Sequence, residues 1–147
     1  MEFHLLASYV DYFHRDATMF CSETLREKGV TVGLLYFILY VCKYPGCTIM
    51  QMSRDLGLDR AYVLRCVQKM VDEGFFERRP HPTDGRATVL YPNEKARELD
   101  AIGHQLLEDW DQRALTGITD AEKEELFHLL EKIRRKGEPS CPKNLCC

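Results

Sequence analysis

The chain has 147 residues, 45% of them hydrophobic and 29% charged, which suits one folded domain with extra helices around a substantial core. Its formal net charge of -3 excludes a uniformly polybasic nucleic-acid binder, yet the charge is unevenly spread: residues 48–97 carry +2, 132–147 +4, 98–131 -8 and 1–47 -1. A basic segment beside an acidic one fits a protein with one face on phosphate and another in solvent, although acidic helices are also commonly just solvated.

The opening MEFHLLASYVDYFHRD lacks a basic leader and meets Asp11 early, so a secretory signal is not expected. The longest uncharged run, Gly29 to Cys42, falls short of the ~20 residues a membrane crossing needs. The expected location is the cytoplasm. Seven cysteines (Cys21, Cys42, Cys47, Cys66, Cys141, Cys146 and Cys147) are an odd count without an export signal, so reduced thiols are expected rather than a disulfide framework.

Residues 1–28 place Phe3, Leu6, Val10, Phe13, Ala17 and Phe20 at spacings of 3, 4, 3, 4 and 3, the seam of a long helix that wants a partner. Gly29 ends it. Thr31 to Tyr44 is a second helix, apolar nearly all round and therefore central and buried, and Pro45-Gly46 breaks the chain. Thr48 and Gln51 form a capping box for a short third helix with Ile49, Met52 and Leu56 inward. Gly57-Leu58 makes a turn and Asp59 caps a fourth helix, whose Val63, Val67, Met70 and Val71 share one side. The other side carries Ala61, Tyr62, Arg65, Gln68, Lys69 and Asp72. Gly74 stops this helix, and Phe75–Arg79 and Arg86–Tyr91 read as paired strands joined by residues 80–85. Asn93 is expected to cap a long fifth helix bearing Leu99, Ile102, Leu106 and Trp110. A second box, Thr119 with Glu122, opens a sixth helix with Leu126, Leu130 and Ile133.

The order helix, turn, helix, hairpin predicts a mainly α fold with a small β-hairpin wing. The expected architecture is a winged helix-turn-helix lobe over residues 31–92, and dimerisation helices over residues 1–28 and 93–136. These form a single domain of residues 1–137, with a cysteine-containing tail at 138–147. A major groove accepts one helix and is read from that helix's first turns, here Arg60, Ala61, Tyr62 and Arg65, with Lys69 better placed for backbone charge. Arg65 offers a bidentate fork to guanine, and Tyr62 a contact to phosphate or a thymine methyl. Any solvated helix also displays Arg and Lys, but the capped helix, the tight turn and the basic hairpin favour DNA contact.

In the wing, Arg78, Arg79 and Arg86 surround an Asp-Gly tip. An arginine there suits the negative potential of a narrow minor groove, and Asp84 is placed to hold Arg78 or Arg86 by a charge-assisted hydrogen bond. The competing reading of Asp84 is a surface ion pair of small worth. Thr48 and Gln51, at the start of the third helix, complete the candidate DNA-binding set.

The run DEGFFERRPHPTDGRATVLYPNEKA, residues 72–96, resembles the wing signature of the multiple antibiotic resistance regulator (MarR) family: a Gly-apolar-apolar-x-Arg entry, prolines and an Asp-x-Arg tip. The resemblance extends over nearly the whole chain, since helices precede and follow the wing in the expected order. It implies wing roles for Gly74, Arg78, Asp84 and Arg86, and a recognition helix from Arg60 to Lys69. It further implies a homodimeric transcription regulator, expected to be a repressor, that binds a pseudo-palindromic double-stranded operator and responds to a small-molecule effector. Asn93 and Ala96 depart from the family's usual Thr and Gly.

Some relatives in the family sense hydroperoxides through a cysteine on the first helix beside tyrosines, and Cys21 with Tyr9, Tyr12, Tyr36 and Tyr40 permits a redox-sensing regulator. A small buried thiol is the plainer reading of Cys21, as it is of Cys42 and Cys66. The tail thiols Cys141, Cys146 and Cys147 are close enough to suit a soft metal or an oxidant, but lack the repeated pair of a zinc site. His4, His14, His81, His104 and His128 are scattered, with His81 a wing-loop residue near phosphate, so no metal and no cofactor is expected. A winged-helix protein-interaction module is the alternative of another class, disfavoured by the Arg, Gln and Lys on the exposed helix. No Gly-rich phosphate loop, nucleophile elbow or paired-carboxylate context points to an enzyme.

Overall fold

The computed structural model describes residues 4–136, with the side chains of Arg135 and Lys136 left aside, so the Cys141, Cys146 and Cys147 tail and Phe3 lie outside the described residues. Six helices and a three-stranded antiparallel sheet follow in the order α1 (Leu6–Glu27), α2 (Val32–Lys43), β1 (Cys47–Thr48), α3 (Ile49–Leu56), α4 (Arg60–Asp72), β2 (Phe76–Pro80), β3 (Thr88–Pro92), α5 (Glu94–Ala114) and α6 (Asp120–Lys136). The expected fold class therefore stands. No helix among the described residues is long and apolar enough to cross a membrane.

The core is built around α2, where Val32, Leu34, Leu35, Phe37, Ile38, Tyr40 and Val41 are all buried, as an all-round apolar helix requires. Met52 from α3, Val63, Val67 and Met70 from α4, Phe75 and Phe76, and Leu90 from β3 close on it from one side. Ala96 and Leu99 of α5 and Cys21 and Leu25 of α1 close on it from the other. The backbone of α5 comes so near α2 that a Cβ on Gly103 would lie 2.5 Å from Leu35 Cδ1.

Helix α1 changes character along its length. Cys21 and Leu25 are buried in the core, whereas Leu6, Val10 and Phe13 of the expected seam, and Tyr9 beside them, are exposed. The two halves are braced by α5: Trp110 donates to Asp16 at 2.8 Å, Arg113 pairs with the same carboxylate at 3.2 Å, and Phe13 meets Trp110 edge-on. Among the described side chains of α6 none is fully buried, and Phe127, Leu129, Leu130 and Ile133 are exposed along it.

Three local features differ from the sequence expectation. β1, only two residues long, pairs with β3 through Cys47↔Leu90 and Thr48↔Val89, giving sheet order β1-β3-β2. The wing strands start later than expected because local hydrogen bonds claim their first residues: Phe75 N–H donates to Met70 O to finish α4, and Ala87 N–H donates to Asp84 O to close the tip. Asn93 stands at the N-cap of α5 without capping it. Its side chain instead donates to Gly74 O at 3.2 Å, and its N–H to Phe75 O, tying the start of α5 to the exit of α4.

Candidate nucleic-acid interface

The α3–α4 pair is positioned by caps the sequence announces. Thr48 Oγ1 accepts from Gln51 N–H at 3.1 Å while Gln51 Oε1 accepts from Thr48 N–H at 2.8 Å, so both orphan donors at the start of α3 are satisfied. Gly57 adopts φ 65° to end α3, a left-handed conformation that favours glycine, and Ser53 Oγ donates to Leu58 O at 2.6 Å across the turn. Asp59 then accepts from Tyr62 N–H at 3.1 Å and starts α4. A lock absent from the sequence reading adds to these. Tyr40 of α2 donates to Asp55 of α3 at 2.7 Å. That bond, with a second from Arg54, holds the Asp55 carboxyl below its ordinary value, while burial and the Asp55 partner push the Tyr40 phenol well up.

With its Val63, Val67 and Met70 side fixed against the core, α4 turns Arg60, Ala61, Leu64, Arg65, Gln68, Lys69 and Asp72 outward. Gln68 is tied to Asp72 at 2.8 Å, and Lys69 lies 3.9 Å from Glu73, both on the solvent side. Tyr62 is not among the fully outward residues. It is half-buried with its ring edge against Phe37, and the Arg65 guanidinium sits 6.0 Å from the Tyr62 ring. Its ring thus lies between Phe37 and the Arg65 guanidinium. Leu64, absent from the sequence candidates, stands 47% exposed on the outward face.

The three wing arginines occupy three different environments, set by the register Phe76↔Pro92 through Pro80↔Thr88. Opposed residues share a sheet face, so Arg78 lies with Leu90, Cys47 and Phe76 on the core side, while Arg79 lies with Glu77 and Tyr91 on the outer side. Arg79 is held by Glu77 at 3.0 and 3.2 Å and rests 4.3 Å over the Tyr91 ring. Arg78 is half-buried, and its Nε and Nη2 have no hydrogen-bond partner among the described residues. Arg86 is exposed at the tip.

Asp84 does not hold either guanidinium as expected, and among the described residues no ion pair joins it to Arg78 or Arg86. Its Oδ1 accepts from the Arg86 backbone N–H at 3.0 Å, and this Asx turn aims the tip. His81 completes the loop by accepting on Nδ1 from the N–H groups of Thr83 and Asp84 at 3.2 and 3.1 Å.

A family model described as MarR family matches residues 36–88, the span from α2 to the start of β3. The HTH-type transcriptional regulator BilQ of Clostridium symbiosum is 36% identical over 132 residues, covering 90% of this chain and 92% of that protein. The chain belongs to the MarR family. It is a DNA-binding transcriptional regulator of winged-helix architecture and not an enzyme. A second BilQ, from Clostridioides difficile, is 22% identical, covering 91% of this chain and 90% of that protein. The fold is that of the transcriptional regulator SlyA, with TM-score 0.84 at 20% identity over 89% of this chain and 92% of that one. It is equally that of a MarR family regulator from Listeria monocytogenes complexed with a 26mer DNA, with TM-score 0.84 at 19% identity over 91% and 89% of the two chains.

Outside the reading surface, the candidate redox site lacks the features of a reactive thiol. Cys21 is 0% exposed and burial raises its pKa. Tyr36 beside it is likewise raised, first by burial and then by Cys21 and Asp111. Of the other tyrosines named with it, Tyr9 and Tyr12 are exposed on the outer half of α1 and Tyr40 is committed to Asp55. Burial also pushes the Cys42 and Cys47 thiols up to about 11. No group of three or more metal-binding side chains occurs among the described residues.

Proposed function

We propose that this regulator binds a pseudo-palindromic double-stranded operator as a homodimer and represses transcription until a small-molecule effector releases it. The observation that carries the reading is the outward face of α4, with Arg60, Arg65 and Lys69 above a doubly capped α3, followed by a wing whose aimed tip presents Arg86. In this reading Arg65 and Arg60 meet base edges, Lys69, Thr48 and Gln51 meet phosphate, and Arg86 enters the adjacent minor groove, with Tyr62, Asp84 and His81 as positioning residues. The unpaired guanidinium nitrogens of Arg78 favour a phosphate against the inner edge of the wing.

The homodimer is supported by the apolar side chains left exposed on the outer half of α1 and along α6, a face that a second copy of the same chain would cover with the same residues. Two α4 helices would then lie ~34 Å apart, one turn of the duplex. An effector site is supported by a cleft of about 320 Å³ lined by Thr18, Ser22, Arg26 and residues 29–32, where α1 of the outer layer meets α2 of the reading lobe. In a binding selection on random duplex DNA followed by salt titration, Arg65→Ala should cost ~1–3 kcal/mol and relax the consensus at one position per half-site. Arg86→Ala should lower the salt slope by about 1 per half-site contact. Unchanged affinity and slope for both variants would remove the assignment.

A further inference from the structure

Leu64 is a large aliphatic side chain with nearly half its surface in solvent, on the flank of a helix whose three fully buried residues lie about 60–120° round from it. It belongs neither to the buried core nor to the half-buried side chains packed against that core. At 100° per residue, Leu64 shares a ridge with Ala61 and Gln68, one turn on either side, and lies next to Arg65. Ala61 and Leu64 therefore form an apolar edge on the N-terminal half of α4, the half that enters a groove most deeply in helix-turn-helix docking. Of the polar neighbours, Gln68 bonds Asp72 at 2.8 Å and the Arg65 guanidinium lies 6.0 Å from the Tyr62 ring.

In the major groove the one apolar group displayed by a base pair is the C5-methyl of thymine. We propose that Leu64, backed by Ala61, is a specificity-determining residue that selects thymine in each half-site by burying its methyl group. The proposal rests on α4 lying in a major groove. It assigns to the chain a preference that the arginines cannot supply, because a guanidinium fork reads guanine and phosphate.

The test begins with full-length protein and Leu64→Ala, each used to enrich a pool of random duplexes at fixed salt. Each thymine of the enriched site is then replaced singly by deoxyuridine, which removes only the methyl. For the unmodified protein, deoxyuridine at one position per half-site should weaken binding about fourfold, the factor for one methyl-sized apolar contact. The same replacement should change nothing for Leu64→Ala, whose own consensus should lose thymine at that position. Equal loss by both proteins at every position, or an unchanged consensus for Leu64→Ala, overturns the proposal. A uniform weakening of Leu64→Ala on all duplexes also overturns it, since that marks a contact without sequence content. If the unmodified protein enriches no duplex, the placement of α4 in a groove fails and takes this inference with it. Because Leu64 is exposed, the variant should unfold within ~0.5 kcal/mol of the parent, which separates a reading defect from a folding one.

Discussion

Replacing Gly103 by alanine sets two effects of opposite sign against each other. Within a helix, alanine is favoured over glycine by about 1 kcal/mol, so an unobstructed site would gain stability. Here the added Cβ would lie 2.5 Å from Leu35 Cδ1 and 3.2 Å from both Leu35 Cγ and Cδ2, against an ordinary carbon contact of ~3.5–4.0 Å. Leu35 is the far side of the contact and would have to move by roughly 1 Å. It is fully buried at the centre of α2, and close-packed surroundings leave it little room. Overpacking of this kind costs ~1–3 kcal/mol, so the net effect of Gly103→Ala is a loss of about 1 kcal/mol, and at most ~2. Thermal unfolding at one fixed protein concentration measures it, with an expected fall in melting temperature of ~2–4 °C per kcal/mol. The double variant Leu35→Ala/Gly103→Ala checks the cause: once Leu35 is truncated, the alanine at position 103 should become neutral or stabilising. A stabilised single variant, or a loss that persists unchanged in the Leu35→Ala background, would refute the steric account.

Arg78→Met should raise stability by about 1 kcal/mol, because two unsatisfied guanidinium nitrogens are replaced by an apolar chain of similar length, while weakening DNA binding; a destabilised variant would show that the guanidinium has a partner. Asp55 has its folded pKa lowered, so its contribution to stability is present above the unfolded value of ~3.9 and is lost as pH falls through the lower folded value. Tyr40→Phe removes the first cause of that shift. It should lower stability at neutral pH and flatten the acid limb of the stability–pH curve, and an unchanged acid limb would count against the Tyr40–Asp55 lock. Cys21, Cys42 and Cys47 should resist a maleimide at neutral pH in the native protein and react in urea, as mapped by peptide mass; rapid native modification of Cys21 would restore the redox reading.

What was legible in the sequence was local. Thr48 with Gln51, Asp59 and Thr119 with Glu122 all cap as read, because a capping box needs only residues three apart and a backbone that is already turning. Asn93 occupies the right position and still does not cap, since Gly74 O lies within reach of its amide and nothing in the spacing reveals a partner 19 residues away. Nothing in the spacing marks Leu64 apart from its core-facing neighbour Val63, although its 100° offset already places it beside Ala61. β1 has two residues, too few for any alternation to show. The wing arginines were read as one basic cluster, whereas strand register divides them: adjacent Arg78 and Arg79 point to opposite faces, and only Arg86 stands at the tip.

That division bears on how the reading surface can be regulated. Arg79 is neutralised by Glu77 and stacked on Tyr91, Asp84 and His81 fix the tip through backbone N–H groups, and Arg65 rests on a ring that packs against Phe37 of α2. These groups are thus held by the lobe itself, so a bound effector has little local freedom of theirs to take away. The junction with the outer layer is different. Helix α1 enters the core through buried Cys21 and Leu25, with half-buried Phe20 packed beside them, and its other half is braced to α5 by exposed or half-buried contacts at Asp16, Phe13 and Trp110. In a dimer held by α1 and α6, a ligand in the cleft between α1 and α2 would act by changing the angle between lobe and outer layer, and hence the distance between the two α4 helices. Operator release would then appear as a loss of affinity for correctly spaced half-sites, with single half-site binding left nearly unchanged.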